Sequence, residues 1–107
     1  MTKLAHQLLE GEEPFDQLPP DEAQEMNLLV TMLRQRGMRV DVYEYKGALL
    51  PFINIEAHVI SEEDEGTFLH IAHRFGFESV MNRTNYTRKS KNHQGPLRIN
   101  LRVHIPF

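Results

Sequence analysis

Residues 97–105, Leu97-Arg98-Ile99-Asn100-Leu101-Arg102-Val103-His104-Ile105, carry the most informative pattern in the chain. Apolar and polar side chains alternate without a break. A strand with one face in a core and the other facing outward has this period of two. Residues 51–60 repeat the pattern, with Ile53, Ile55, Ala57 and Val59 on one side and Phe52, Asn54, Glu56 and His58 on the other. Residues 38–45 do so again, with Met38, Val40 and Val42 against Arg39, Asp41 and Tyr43. Lys46-Gly47-Ala48 separates the last two runs and predicts a hairpin turn.

Two helices bracket these strands. Residues 21–36 place Ala23, Met26, Val30 and Leu33 on one stripe, widened by Leu29. Asp21 and Gln24 have capping-box spacing, and Gly37 is placed to end the helix in a left-handed conformation. The second helix starts at Ser61, followed by Glu62, Glu63 and Asp64 in the turn that favours acids. Phe68, Ile71, Ala72 and Phe75 form its buried stripe, and Gly76 stops it. A short strand is expected at 77–82, then a polar, basic loop over 83–96. Leu4, Leu8 and Leu9, with Thr2 as cap and Gly11 as stop, suggest a short helix over 2–10. Three prolines then mark 11–20 as a loop, anchored by Phe15 and Leu18. The expected organisation is a short helix and acidic arm over 1–20, then one α+β domain over 21–107.

One-faced strands and amphipathic helices predict a two-layer α+β sandwich, its sheet four-stranded and mainly antiparallel with helices on one face. The order (α)αββαββ matches a ferredoxin-like chain circularly permuted by moving its first strand to the end. The second and fourth strands are then expected in the centre, parallel to each other. The open face would carry Arg39, Asp41, Tyr43, Tyr45, Asn54, Glu56, His58, Arg98, Asn100, Arg102 and His104. Its mixture of aromatic, basic and amide groups resembles sheet faces that bind single-stranded RNA.

The chain has 107 residues, 40% hydrophobic and 25% charged, which are ordinary globular values. With no cysteine, disulfides and thiolate metal sites are excluded. No apolar run is long enough for a membrane-spanning helix. The amino-terminal residues lack the pattern of a signal peptide, so the expected location is cytoplasmic. The net charge of −3 conceals a gradient. Residues 1–33 hold seven acids against one base, whereas residues 79–107 hold six bases and no acid.

The basic end is the first candidate for chemistry. Arg83, Tyr86, Arg88, Lys89 and Lys91 in the expected loop, with Arg98, Arg102 and His104 on the next strand, form a partner- or anion-binding set. Cations on extended side chains grip phosphates, and Tyr86 would stack on a base. An acidic protein would be attracted as well. The leading expectation is a small non-enzymatic regulator, inhibitor or adaptor, of bacterial or phage type, binding an acidic protein or nucleic acid without a cofactor. One alternative is a metal-independent ribonuclease, with His58 and His104 as acid and base, Glu56 beside them, and Arg98 and Arg102 steadying the phosphate. Another is an assembly subunit, self-associating through sheet edges or through its opposite charge poles. His70 and His73 share a helix side but lack a third ligand, so no metal is expected. No phosphate-binding glycine loop, nucleophile elbow or His-Glu-x-x-His motif is present.

Overall fold

Val40, Val42, Ile53, Ile55, Ala57, Ile99, Leu101 and Val103 are all buried, and all belong to one phase of the strand alternation. That single apolar face organises the molecule. The computed structural model describes residues 5–7, 15, 18–45, 52–80, 82–90 and 97–106. Its elements are β1 (Ala5–Gln7), α1 (Pro20–Gln35), β2 (Arg39–Tyr45), β3 (Phe52–His58), α2 (Glu62–Arg74), β4 (Glu78–Ser79), β5 (Asn85–Lys89) and β6 (Arg98–His104). The strands form one sheet in the order β1-β2-β3-β6-β5-β4. The expected turn at Lys46-Gly47-Ala48 lies outside the described residues.

The α+β class holds, but the four-stranded antiparallel, ferredoxin-like detail does not. The sheet is mixed and has six strands among the described residues. β3 and β6 lie at its centre and run parallel, with Ile53 beside Ile99, Ile55 beside Leu101 and Ala57 beside Val103. Their direction depends on a strand that the sequence pattern conceals. Residues 85–89, expected as loop, form β5, which pairs antiparallel with both β4 and β6. This extra reversal after α2 is what brings β6 in parallel to β3. The strand expected at 77–82 shrinks to the two residues of β4.

The amino-terminal expectation is also corrected. Residues 5–7 are not helical but form β1, antiparallel to β2. A helix of under three turns carries a nucleation cost it cannot recover alone, whereas an open sheet edge offers ready backbone partners. Phe15 and Leu18 do anchor in the core, at 0% and 6% exposure. Phe15 is held there with its backbone in the left-handed region, at φ 64°.

α1 begins one residue before the expected capping box. Pro19 occupies the cap position without a side-chain cap, and Pro20 fills the first turn, where a missing N–H costs nothing. Asp21 accepts a hydrogen bond from the Glu22 N–H at 2.9 Å. α2 follows its signals closely. Ser61 Oγ accepts from the Asp64 N–H at 3.1 Å. Gly37 and Gly76 end the two helices at φ 87° and 83°, a region costly for any other residue. Met26, Leu29 and Leu33 of α1 and Phe68, Ile71 and Ala72 of α2 join the sheet residues in one core cluster. Among the described residues no helix is long and apolar enough to cross a membrane.

Candidate functional site

The polar phase of the strands defines the candidate site. Strand register sets these residues in rows across the sheet. Arg39, His58 and His104 form the first row, and Asp41, Glu56, Arg102 and Asn85 the second. Tyr43, Asn54, Asn100 and Thr87 form the third, and Phe52, Arg98 and Lys89 lie along the fourth. Among the described residues no helix lies over these rows. The face expected from alternation is therefore the face observed. The Tyr45 side chain lies outside the described residues.

One end of the face is an ordered polar cluster. His58 and His104 stack with ring centroids 4.3 Å apart and planes within 6°. His104 Nε2 lies 2.7 Å from Glu56 Oε1, and His58 Nε2 lies 3.5 Å from Asp41 Oδ2. Asn54 Nδ2 donates to the other Glu56 oxygen at 2.7 Å, and Arg39 Nε donates to Asp41 at 3.1 Å. Both carboxylates are thus occupied by neighbours on their own face.

The outward-facing cations of β5 and β6, Lys89, Arg98 and Arg102, are not so occupied among the described residues. Lys89 and Arg98 face each other directly across the antiparallel pair. Arg98 Nε donates to Thr87 Oγ1 at 3.3 Å and meets no carboxylate among the described residues. Arg102 and Lys89 are exposed and make no ion pair there. Between these positions Thr87 Oγ1 donates to Asn100 Oδ1 at 3.0 Å, leaving amide and hydroxyl groups along the middle row.

The remaining members of the expected binding set divide. Tyr86 and Arg88 are not on this surface. They belong to the inward phase of β5, at 7% and 6% exposure. Tyr86 donates its hydroxyl to the Arg83 carbonyl at 2.9 Å and meets the Phe68 ring edge-on. Burial, followed by the nearby Glu65 charge, raises its pKa above the ordinary tyrosine value, while Arg83 works in the other direction. Arg88 reaches under the sheet edge to α1. Its Nη2 donates to Glu22 Oε2 at 2.5 Å, and its Nη1 donates to Glu25 Oε1 and the Phe75 carbonyl, each at 2.6 Å. Ser90 Oγ donates to the other Glu22 oxygen. Arg83 is exposed and pairs with Glu65 on α2 at 3.4 Å. Lys91 lies outside the described residues. His70 and His73 are exposed on α2.

Sequence reasoning missed Glu22 as a buried partner. The missing signal was the phase of residues 85–89. Once this stretch is a strand, Tyr86 and Arg88 share one face, and Asn85, Thr87 and Lys89 the other. Comparison with known protein families, characterised proteins and solved structures finds no match to this chain.

Proposed function

We propose that the protein is a non-enzymatic module that binds single-stranded nucleic acid on the outer face of β3, β6 and β5. The observation that carries this reading is the direct opposition of Lys89 and Arg98. Like charges opposed across a strand pair destabilise a sheet. An anion lying over the pair would relieve that repulsion. Arg102, two rows further along β6, extends the track.

The groups between the cations favour nucleic acid over an acidic protein. An acidic protein surface requires only positive charge. This face also offers the imidazole stack at one end, with the Asn54, Asn100 and Thr87 polar groups between it and the Lys89–Arg98 pair. Unstacked bases use such features, through ring stacking and hydrogen bonds to their edges. The ribonuclease reading is less well supported. An acid and a base acting in line approach phosphorus from opposite sides, whereas stacked imidazoles meet a ligand from the same side.

Fluorescence anisotropy of a labelled single-stranded oligonucleotide, measured over a salt series, tests the reading. Binding should weaken steeply with salt, and replacing Lys89, Arg98 and Arg102 together with Ser should flatten the log–log slope by about 2. Arg83→Ser should leave the slope nearly unchanged. If the triple variant binds as the wild type does, the face is wrongly assigned. If only acidic proteins bind, the partner class is wrong.

A further inference from the structure

The cation track along β6 runs into a cleft. Beyond the carboxyl ends of the two parallel central strands lies a space of about 540 Å³, lined by His58, Ile60, Thr84, Arg102, His104 and Pro106 among others. The Val59 N–H donates to the His104 carbonyl, and the Val103 N–H donates to the Thr84 carbonyl. These bonds close the sheet at this end and fix the cleft walls. The volume is in the range of small-molecule sites.

We propose that this cleft takes a phosphomonoester on a planar ring, either the phosphorylated end of a bound strand or a free nucleoside monophosphate. This deepens the reading above and rests on it. Three features of the cleft support this ligand class. Arg102 is its cation, and no carboxylate pairs with it among the described residues. A phosphomonoester carries about −1.5 to −2 charges at neutral pH, more than the single charge of each backbone phosphate, so it gains more from such a site. The imidazole stack is the second feature. With Nε2 of each ring directed at a carboxylate, Nδ1 is the ring nitrogen that remains for a ligand. The third is an apolar lip. Ile60 is 79% exposed, the most exposed large apolar side chain among the described residues, and Pro106 also lines the cleft. A ring placed there would cover both while its phosphate meets Arg102.

Position along the sheet gives the cleft its role. Arg98 and Arg102 are four residues apart on β6, about 13 Å at strand rise. A strand tracked from Lys89 and Arg98 towards Arg102 runs out of sheet at the cleft. The track therefore ends where the extra phosphate charge is best accommodated.

One oligonucleotide prepared with a 5′-phosphate, with a 3′-phosphate and with neither separates the outcomes, with adenosine monophosphate as the free probe. One phosphorylated form should bind about tenfold more tightly than the unphosphorylated form, the gain from one further charge-assisted bond. Arg102→Gln should reduce that ratio to near one. Arg98→Gln should weaken every oligonucleotide and leave the ratio intact. Ile60→Ser should weaken adenosine monophosphate and the preferred phosphorylated end. Adenosine monophosphate bound in an Arg102-dependent manner, with no preference among strand ends, identifies the free nucleotide as the ligand. Equal binding of all three oligonucleotides with no binding of adenosine monophosphate overturns the cleft proposal, while the nucleic-acid reading survives. Adenosine monophosphate binding with no oligonucleotide binding has the opposite consequence.

Discussion

Arg88 and Lys89 are adjacent in sequence but occupy opposite environments. Arg88 points into the molecule, tied to Glu22, Glu25 and the Phe75 carbonyl, with the Phe77 ring 5.7 Å from its guanidinium. Lys89 points outward, opposite Arg98, with no carboxylate beside it among the described residues. The interior group has a structural role, joining α1, the end of α2 and β5. The exterior group adds to an unneutralised surface. Charge read along the sequence is therefore not charge at the surface. Part of the basic carboxyl-terminal pole is neutralised by acids of the two helices, through Arg88 with Glu22 and Glu25 of α1 inside and Arg83 with Glu65 of α2 outside.

The largest effect is expected from breaking the interior site. Arg88→Ala leaves the Glu22 carboxylate buried without its guanidinium, which costs about 3–5 kcal/mol. Urea unfolding measures it as a fall in midpoint. The double variant Arg88→Met/Glu22→Gln should recover much of that loss, because it removes both buried charges. A loss below about 1 kcal/mol for Arg88→Ala would mean that interior and exterior cations are equivalent to the fold.

A smaller effect concerns Tyr86, the inward neighbour of Arg88. Tyr86→Phe should cost about 1 kcal/mol, the net value of its hydrogen bond to the Arg83 carbonyl. Its pH dependence has a definite sign. The folded pKa lies above the ordinary tyrosine value of 10.0, so the folded state holds this proton more tightly than the unfolded state. Stability contributed by Tyr86 is present below pH 10 and is lost as pH rises through the folded value. The stability gap between wild type and Tyr86→Phe should therefore narrow above pH 10, as measured by urea unfolding across alkaline pH.

The smallest effect is expected outside. Single Ser replacements of Lys89, Arg98 or Arg102 should change stability by no more than about 0.5 kcal/mol. Lys89→Ser relieves its repulsion with Arg98 and should be neutral or slightly stabilising by thermal unfolding. Losses comparable to that of Arg88→Ala would make the outer cations structural and remove the basis for a binding face.

Much of the fold was legible because its signals are local. Ser61 caps α2, Gly37 and Gly76 end the helices, and the alternation of β2, β3 and β6 assigns each residue to a face. β5 was not legible. Asn85-Tyr86-Thr87-Arg88-Lys89 has an arginine in the inward phase, so its pattern is polar on both sides. Only pairing with Glu22, 66 residues away, makes that inward arginine tolerable. β1 was concealed for a related reason, since a strand of three residues exists only where β2 offers it an edge. At the candidate site, Arg98, Arg102 and His104 were placed correctly by alternation, while Tyr86 and Arg88 were not.

The sequence by itself determined the α+β class, the principal helices and long strands, the two faces of those strands and the polarity of charge along the chain. Each follows from side-chain period, capping chemistry or composition, which act over a few residues. Tertiary structure alone decided the added strand β5 between β4 and β6, the stacking of His58 on His104 and the division of the basic end into a buried arginine and an exposed track. These depend on which distant segments pair and in what register, because a shift of one residue exchanges the inner and outer faces of a strand.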